Sequence, residues 1–283
     1  MTILVTGGRG AVARALVDEL LAAGAPVRVG SRDPQTARVP PGVRVVPVDL
    51  ARPETAGDAL DGVRAVFLYA EPAGLDAFLA AAVAAKVERV VLLSSSSVDH
   101  DGRPTAIARM HIAAEEAIVA SGLPWTFVRP GAFATNALAW SSAIRVEGVV
   151  RDAYPGSYVA PVHERDMAAV SAVALLRSGH EGAAYTLTGP ETFTRRRQIE
   201  VIGEVLGLPL RFEEITGAQL RERSLAGGVP AGIIDALLHY LAESDGRPVA
   251  VSDAVAALTG RPARTFASWV ADHADAFTGA DQG

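Results

Sequence analysis

The sequence predicts an α/β fold: a doubly wound parallel sheet with helices on both faces and a small, mostly helical C-terminal region. Three observations carry the prediction. Short β-branched runs alternate with Ala/Leu-rich stretches through the first two-thirds of the 283 residues. The runs have wholly apolar centres, such as Val90-Val91-Leu92-Leu93, which suits strands buried on both faces. Glycines stand where the intervening helices must end, at Gly24 and Gly122.

The elements follow in order. Thr2–Thr6 is an apolar run that stops at a glycine cluster, and reads as the first strand. Ala11–Ala23 has helical periodicity. Pro26–Gly30 and Val43–Pro47, each built on valines, are the second and third strands. Ala65–Ala70 and Arg89–Ser94 are the fourth and fifth, with a helix over Leu75–Ala85 between them. Thr105–Ser121 is a long helix, and Trp125–Arg129 is the sixth strand. The right-handed crossover rule leaves few topologies for such a chain.

Past residue 150 the regularity weakens. YPGSY (154–158) is turn-rich. A helix is expected from His163 to Arg177 and a strand near Ala184–Leu187. Further helices are expected around Thr194–Leu206, Thr216–Ala226, Ala231–Glu243, Ser252–Leu258 and Thr265–Ala276. There is no linker, repeat or low-complexity tract. Residues 1–150 therefore read as the core, and 151–283 as a substrate-binding or lid region completing the same domain.

Composition excludes several classes. The chain has no cysteine, so disulfides, thiol catalysis and Cys-based metal sites are out. A net charge of −6 gives no electrostatic case for nucleic acid. The longest apolar runs, such as residues 77–85, are too short to span a bilayer. Met1 and Thr2 lead straight into a strand-like run with no signal-peptide pattern, so a cytoplasmic protein, monomer or homodimer, is the expectation. Lys+Arg is 26, yet Lys86 is the single lysine. A mechanism that needs a catalytic lysine must use Lys86 or be discarded.

Residues 6–13 read TGGRGAVA, directly after the first strand and opening the first helix. Gly7-x-x-Gly10-x-x-Ala13 is the pattern of a dinucleotide-binding, or Rossmann, turn. The first glycine makes the turn, the next lets backbone approach a pyrophosphate, and Ala13 permits close helix–strand packing. Thr6, Gly7, Arg9, Gly10, Ala11 and Val12 are the expected contacts, because free N–H groups and the helix dipole favour an anion there. The second strand ends in Ser31-Arg32, without the carboxylate that an NAD site places on the ribose. Arg9, Arg32 and the Ser31 hydroxyl suit a 2′-phosphate instead, so NADP(H) is the expected cofactor. Asp49 and Leu50, after the third strand, are candidates to hold the adenine; Asp49 as a simple helix cap is the competing reading.

With these motifs in place the chain resembles the short-chain dehydrogenase/reductase superfamily, in its atypical NmrA-like branch. TGGRGAVA, Arg32, the Asp49 step, VERVVLLSS (87–95), EEAIVASGLPWTFVRPGAF (115–133) and VHERDMAAV (162–170) match that branch in order. ALTGRPARTFASWVADH (257–273) resembles its C-terminal end. The resemblance implies a Tyr-x-x-x-Lys pair on the helix after the fifth strand. The matching helix reads AIARMHIAAEEA (106–117), which puts Ile107 at the tyrosine position and His111 at the lysine position. Lys86 precedes the fifth strand and cannot stand in. The resemblance also implies a catalytic serine near Ser94-Ser95-Ser96-Ser97. Ser95 and His111 are thus the catalytic candidates, Ser94 a cofactor contact and Ser96 a substrate contact; a polar strand-to-loop turn and a structural histidine are the plain alternatives. Tyr69 and Ala70, ending the fourth strand, and Pro130-Gly131-Ala132-Phe133, after the sixth, are expected to border the nicotinamide. Asn136, Trp140, Tyr154 and Tyr158 are candidate substrate walls. His163, Glu164 and Asp166 look like a metal cluster on paper but read better as a helix opening, so no metal is expected.

These readings point to an NADPH-dependent ketoreductase for a bulky aromatic, polyketide-type carbonyl, working without the usual acid–base dyad. A non-catalytic NADP(H) sensor and a quinone or azo reductase are the alternatives. The segment from Gly217 to Pro248, rich in Ala, Leu and Ile, suits a lid over an apolar substrate.

Overall fold

A computed structural model describes residues 1–99 and 104–279. The first half runs β1 (Thr2–Val5), α1 (Ala11–Ala22), β2 (Val27–Ser31), β3 (Arg44–Pro47), α2 (Ala56–Leu60), β4 (Val63–Tyr69), α3 (Leu75–Ala84), β5 (Arg89–Leu93), α4 (Ala106–Ala120) and β6 (Trp125–Pro130). The second half runs α5 (Ser141–Glu147), β7 (Val149–Asp152), β8 (Tyr158–Val159), α6 (Glu164–Leu176), β9 (Ala183–Leu187), β10 (Phe193–Thr194), α7 (Arg195–Leu206), β11 (Arg211–Glu214), α8 (Gly217–Ala226), α9 (Ala231–Glu243), α10 (Ala254–Thr259), α11 (Phe266–Asp272) and α12 (Ala274–Thr278).

Seven strands form one sheet in the order β3-β2-β1-β4-β5-β6-β9, and every pairing in it is parallel. The apolar strand centres are buried on both sides, as in Ile3, Leu4 and Val5. One face carries a core that joins Leu16 and Leu20 of α1 to Met167 and Leu175 of α6. The other face packs Leu60 of α2, Phe78 and Leu79 of α3, and Ile118 of α4. This is the doubly wound fold the sequence predicts. Strand order reverses between β1 and β4, so a crevice opens at the carboxyl ends of those strands.

A third core joins Trp140, Val150, Ile202, Phe266 and Trp269 and carries the C-terminal helices. Four short strands here were not expected. β7 pairs parallel with β11, and β8 antiparallel with β10. Their residues are too few or too polar to show a strand pattern: Arg151 of β7 reaches Glu213 of β11 at 2.8 Å. The expected single helix over Thr265–Ala276 breaks in two at His273, whose backbone leaves the helix at φ −118° while its ring reaches Glu164. No helix of the described residues is long and apolar enough to cross a membrane.

Candidate active site

The crevice at the sheet's carboxyl edge holds two adjoining cavities. The first, about 390 Å³, is walled by the glycine loop, the end of β2 and the ends of β4 and β5. Thr6, Gly7, Arg9, Gly10, Ala11, Val12, Ser31, Arg32, Tyr69 and Phe133 all line it. The loop geometry follows from its glycines. Gly7 sits at φ +67° and accepts the Gly10 N–H at 2.8 Å, which closes the turn. At Gly8 a Cβ would stand 2.3 Å from Val29 Cγ1, so the loop lies on β2 only because no side chain is there. No side chain caps α1 and its first turn holds no acid. Its leading N–H groups therefore lack intrahelical partners and face the loop. Arg9 and Arg32 are exposed and make no hydrogen bond or ion pair among the described residues. A cradle of free backbone donors flanked by two guanidiniums fits a dinucleotide pyrophosphate and a ribose phosphate.

Some expected contacts are placed differently. The Ser31 hydroxyl donates to the Asp33 carbonyl at 2.9 Å and accepts its N–H, so it closes the turn after β2 while lining the first cavity. Asp49 accepts the N–H of Ala51 at 3.2 Å on Oδ1, which makes a local turn and not a helix cap. Leu50 is 1% exposed in the core with Leu75 and Phe78, which removes it from the adenine's path. Neither residue lines the cleft.

The second cavity, about 370 Å³, shares Tyr69, Leu93 and Phe133 with the first. It is completed by Ala70, Ser94, Ser95, Ile107, His111, Gly131 and Asn136. The catalytic candidates Ser95 and His111 thus share one wall-to-wall space. Ser95 Oγ accepts the Ser97 N–H at 3.2 Å, and its own proton has no acceptor among the described residues. His111 Nδ1 is buried and has no hydrogen-bond partner among the described residues. Burial pushes the His111 imidazole below its ordinary value, and Glu115 only partly opposes this, so the ring is neutral at pH 7. Burial pushes the Tyr69 phenol up, which keeps it protonated.

Behind the cavity lies a network that the sequence reading missed. Ser94 Oγ donates to Glu115 Oε1 at 2.5 Å. Arg129, at the end of β6, grips the same carboxylate through Nε at 2.9 Å and Nη2 at 2.6 Å, and reaches Asp99 Oδ1 at 2.7 Å. The hints were an arginine near the end of an otherwise apolar strand and a glutamate four residues past His111. The network makes Ser94 a fixed hydroxyl whose proton is already committed.

The other candidates separate from the site. Pro130 ends β6, and the Ala132 carbonyl accepts the Val162 N–H at 2.8 Å; neither lines a cavity, unlike Gly131 and Phe133 between and after them. Ser96 lies behind Gly131, where a Cβ would be 3.8 Å from its Oγ. Trp140 is no pocket wall: its Nε1 donates to Asp152 Oδ2 at 2.9 Å, under the Arg195 guanidinium 4.9 Å from the ring centre. Tyr158 is strand β8, and its carbonyl accepts from Tyr240 Oη at 3.4 Å. Tyr154 adopts φ +53° and packs near Gly217. His163 caps α6, accepting the Arg165 N–H on Nδ1 at 3.1 Å, while Glu164 takes the Trp269 indole N–H at 2.9 Å. Lys86 is exposed at the turn before β5, the opposite edge of the sheet from the cavities.

A family model described as NAD(P)H-binding matches residues 7–178, which span the glycine loop, both cavities and the start of the C-terminal region. The chain belongs to this NAD(P)H-binding family. Full-length relatives extend the match. The (4-alkanoyl-5-oxo-2,5-dihydrofuran-3-yl)methyl phosphate reductase of Streptomyces griseus is 42% identical over 280 residues, 97% of this chain and 99% of its own. The NAD(P)H azoreductase of Xenophilus azovorans is 35% identical over 285 residues, again 97% and 99%. Among solved structures, the NADPH-dependent quinone oxidoreductase of Escherichia coli superposes with a TM-score of 0.81 at 26% identity, over 96% of this chain and 99% of that one. The triphenylmethane reductase of Citrobacter sp., at 20% identity and a TM-score of 0.78, has the same fold. The chain is an NAD(P)H-dependent oxidoreductase.

Proposed function

We propose that this reductase is an NADPH-dependent ketoreductase whose acceptor, a fused-ring aromatic ketone of the angucyclinone type, lies in the second cavity. The observation that carries the reading is the shared wall of the two cavities. Tyr69, Leu93 and Phe133 face both, so a nicotinamide reaching from the first would meet an acceptor held in the second. The bound cofactor supplies the hydride. Arg9 and Arg32 select the 2′-phosphate, which is the reason to favour NADPH over NADH.

The chain's own groups then orient the acceptor. Ser95, whose proton has no acceptor among the described residues, donates to the carbonyl oxygen as negative charge grows there. His111 occupies the position where the superfamily keeps its lysine, and its neutral ring binds ribose or carbonyl as a hydrogen-bond partner. A neutral imidazole is a poor acid at pH 7. The proton on the new alcohol therefore comes from ordered water or from a phenol of the substrate itself. The protein supplies mainly position and an apolar, water-poor space.

A second reading is favoured by the relatives. One acts on an alkanoyl dihydrofuranone, by its name, and others reduce azo compounds or quinones. Quinone or azo reduction in the same cavity differs from the first reading only in the acceptor. Turnover of NADPH with aromatic ketones and quinones, followed by product analysis, tests both. A new stereogenic carbinol supports ketone reduction, and a hydroquinone or amine product alone supports the second reading. Absence of turnover with every acceptor would argue for a sensor that only binds the cofactor.

A further inference from the structure

Helix α9 carries a feature that the fold itself does not use. At about 3.6 residues per turn, Ile233 and Leu237 lie on one stripe of α9, with Ala236 on one side and Ile234 and Leu241 on the other. The flanking residues are buried, at 8%, 1% and 0% exposure, yet Ile233 and Leu237 are 43% and 37% exposed. They do not sit on the outer face. That face is polar: Asp235 pairs with Arg221 at 2.6 Å and His239 with Glu243 at 3.3 Å. Two apolar side chains in the middle of an inward-facing stripe, open to solvent, mark a recess beneath the helix.

The helix spans that recess like a strap. Its C-terminal end is tied to the body: Tyr240 Oη donates to the Tyr158 carbonyl, Ser244 Oγ lies 2.6 Å from Ser157 Oγ, and the Gly246 N–H reaches the Gly156 carbonyl at 2.9 Å. Its N-terminal end rests on α4, where a Cβ on Gly232 would be 3.5 Å from the Ala106 Cβ. Ala106 precedes Ile107, which lines the second cavity with His111. Met110, 37% exposed, continues the same edge of α4. Ala106, Ile107 and Met110 thus make an apolar edge along the start of α4, between the acceptor cavity and the foot of α9.

We propose that Ile233 and Leu237 set acceptor specificity by covering an apolar extension of the substrate, a hydrocarbon chain or outer ring, whose carbonyl sits at Ser95. This rests on the reading that the second cavity holds the acceptor. Both residues are open in the protein as it stands, so burying them against a ligand recovers hydrophobic free energy that a small acceptor cannot reach.

The test uses the full chain with NADPH and two matched probes, 1,4-naphthoquinone and its 2-nonyl derivative. The wild-type ratio of kcat/KM should favour the nonyl compound by about tenfold. In the double variant Ile233→Ser, Leu237→Ser the ratio should fall close to one through KM for the nonyl compound. A ratio that is unchanged in the variant overturns the proposal. Should neither probe turn over, quinone reduction is ruled out while ketone reduction is judged by its own assay, and calorimetric titration of the nonyl compound into NADP⁺-loaded protein still decides. Weaker binding to the variant upholds the proposal, and equal binding overturns it. Concentration-dependent self-association lost in the double variant would also overturn it, by showing that the stripe covers a second copy.

Discussion

Ser94 gives its hydroxyl proton to Glu115 across 2.5 Å, inside a carboxylate site that Arg129 already grips with two nitrogens. The pair ties the end of β5 to the middle of α4, the two elements that carry Ser95 and His111. It fixes the two elements that carry the candidate catalytic groups, with Ser94 itself on the cavity wall.

Glu115→Ala should therefore destabilise the fold by about 3 kcal/mol, because it leaves the partly buried Arg129 guanidinium with Asp99 alone and the Ser94 hydroxyl without its acceptor. Ser94→Ala removes one hydrogen bond and should cost about 1–2 kcal/mol. Denaturant unfolding of both variants checks the order. Equal, negligible losses would show that the network carries no stability.

Gly8→Ala should abolish tight NADPH binding, since its Cβ would lie 2.3 Å from Val29 Cγ1 and must push the loop off β2. Adding Val29→Ala should restore part of the affinity by clearing that clash. Fluorescence titration with NADPH reads both. A Gly8→Ala protein with wild-type affinity would mean the loop moves freely.

Arg32→Ala and Arg9→Ala should each raise KM for NADPH roughly tenfold, the worth of about one charge-assisted contact, and change KM for NADH little. Steady-state kinetics with both cofactors separate a 2′-phosphate contact from a general surface charge. Parallel losses with the two cofactors would contradict the assignment.

The clamp on the C-terminal helices should be pH-dependent. The hydrogen bond to Glu164, at 2.9 Å, raises the His273 imidazole above its ordinary value of 6.5. Burial pushes the Glu164 carboxyl up, but the imidazoles of His163 and His273 outweigh it and hold it well below the usual 4.5. The His273 contribution is thus complete below 6.5 and lost as pH rises through the raised value. The Glu164 contribution is complete above 4.5 and lost only in stronger acid. His111, lowered by burial, works in the opposite sense and favours the fold above 6.5. The gain in Tm on going from pH 8.5 to 6 should shrink in His273→Ala and grow in His111→Asn. Identical pH curves in wild type and His273→Ala would refute the clamp.

The fold was legible because apolar strand centres and helix-ending glycines recur at fixed places, so all seven strands of the main sheet were readable. The glycine loop and Arg32 were legible for the same reason: the chemistry is local. What escaped depends on contacts between distant residues. Nothing in sequence pairs Ser94 with Glu115, or Trp140 with Asp152, and aromatic residues assigned to a pocket prove to be structural anchors. Leu50 was misplaced because a residue after a strand can turn either way, and here it joins the core. The turn at His273 is invisible for the same reason, since its cause is a glutamate more than a hundred residues earlier.

Replacing Ser95 and His111 together should separate their work from the substrate's. If Ser95 polarises the carbonyl and the acceptor supplies its own proton, Ser95→Ala should lower kcat by about a hundredfold, and His111→Asn much less. Equal, near-total loss in both single variants would instead assign the proton to His111. A double variant as active as wild type would remove both residues from the chemistry.

The proposed reaction is hydride delivery from NADPH to a carbonyl held beside Ser95 and His111. It is tested most directly by turnover with 4-deuterated NADPH of each configuration and an aromatic polyketide ketone, with mass and NMR analysis of the product. Deuterium should pass from one configuration only and be bound to a new stereogenic carbinol carbon. Deuterium at any other carbon, or NADPH bound without label transfer to any ketone, would contradict it.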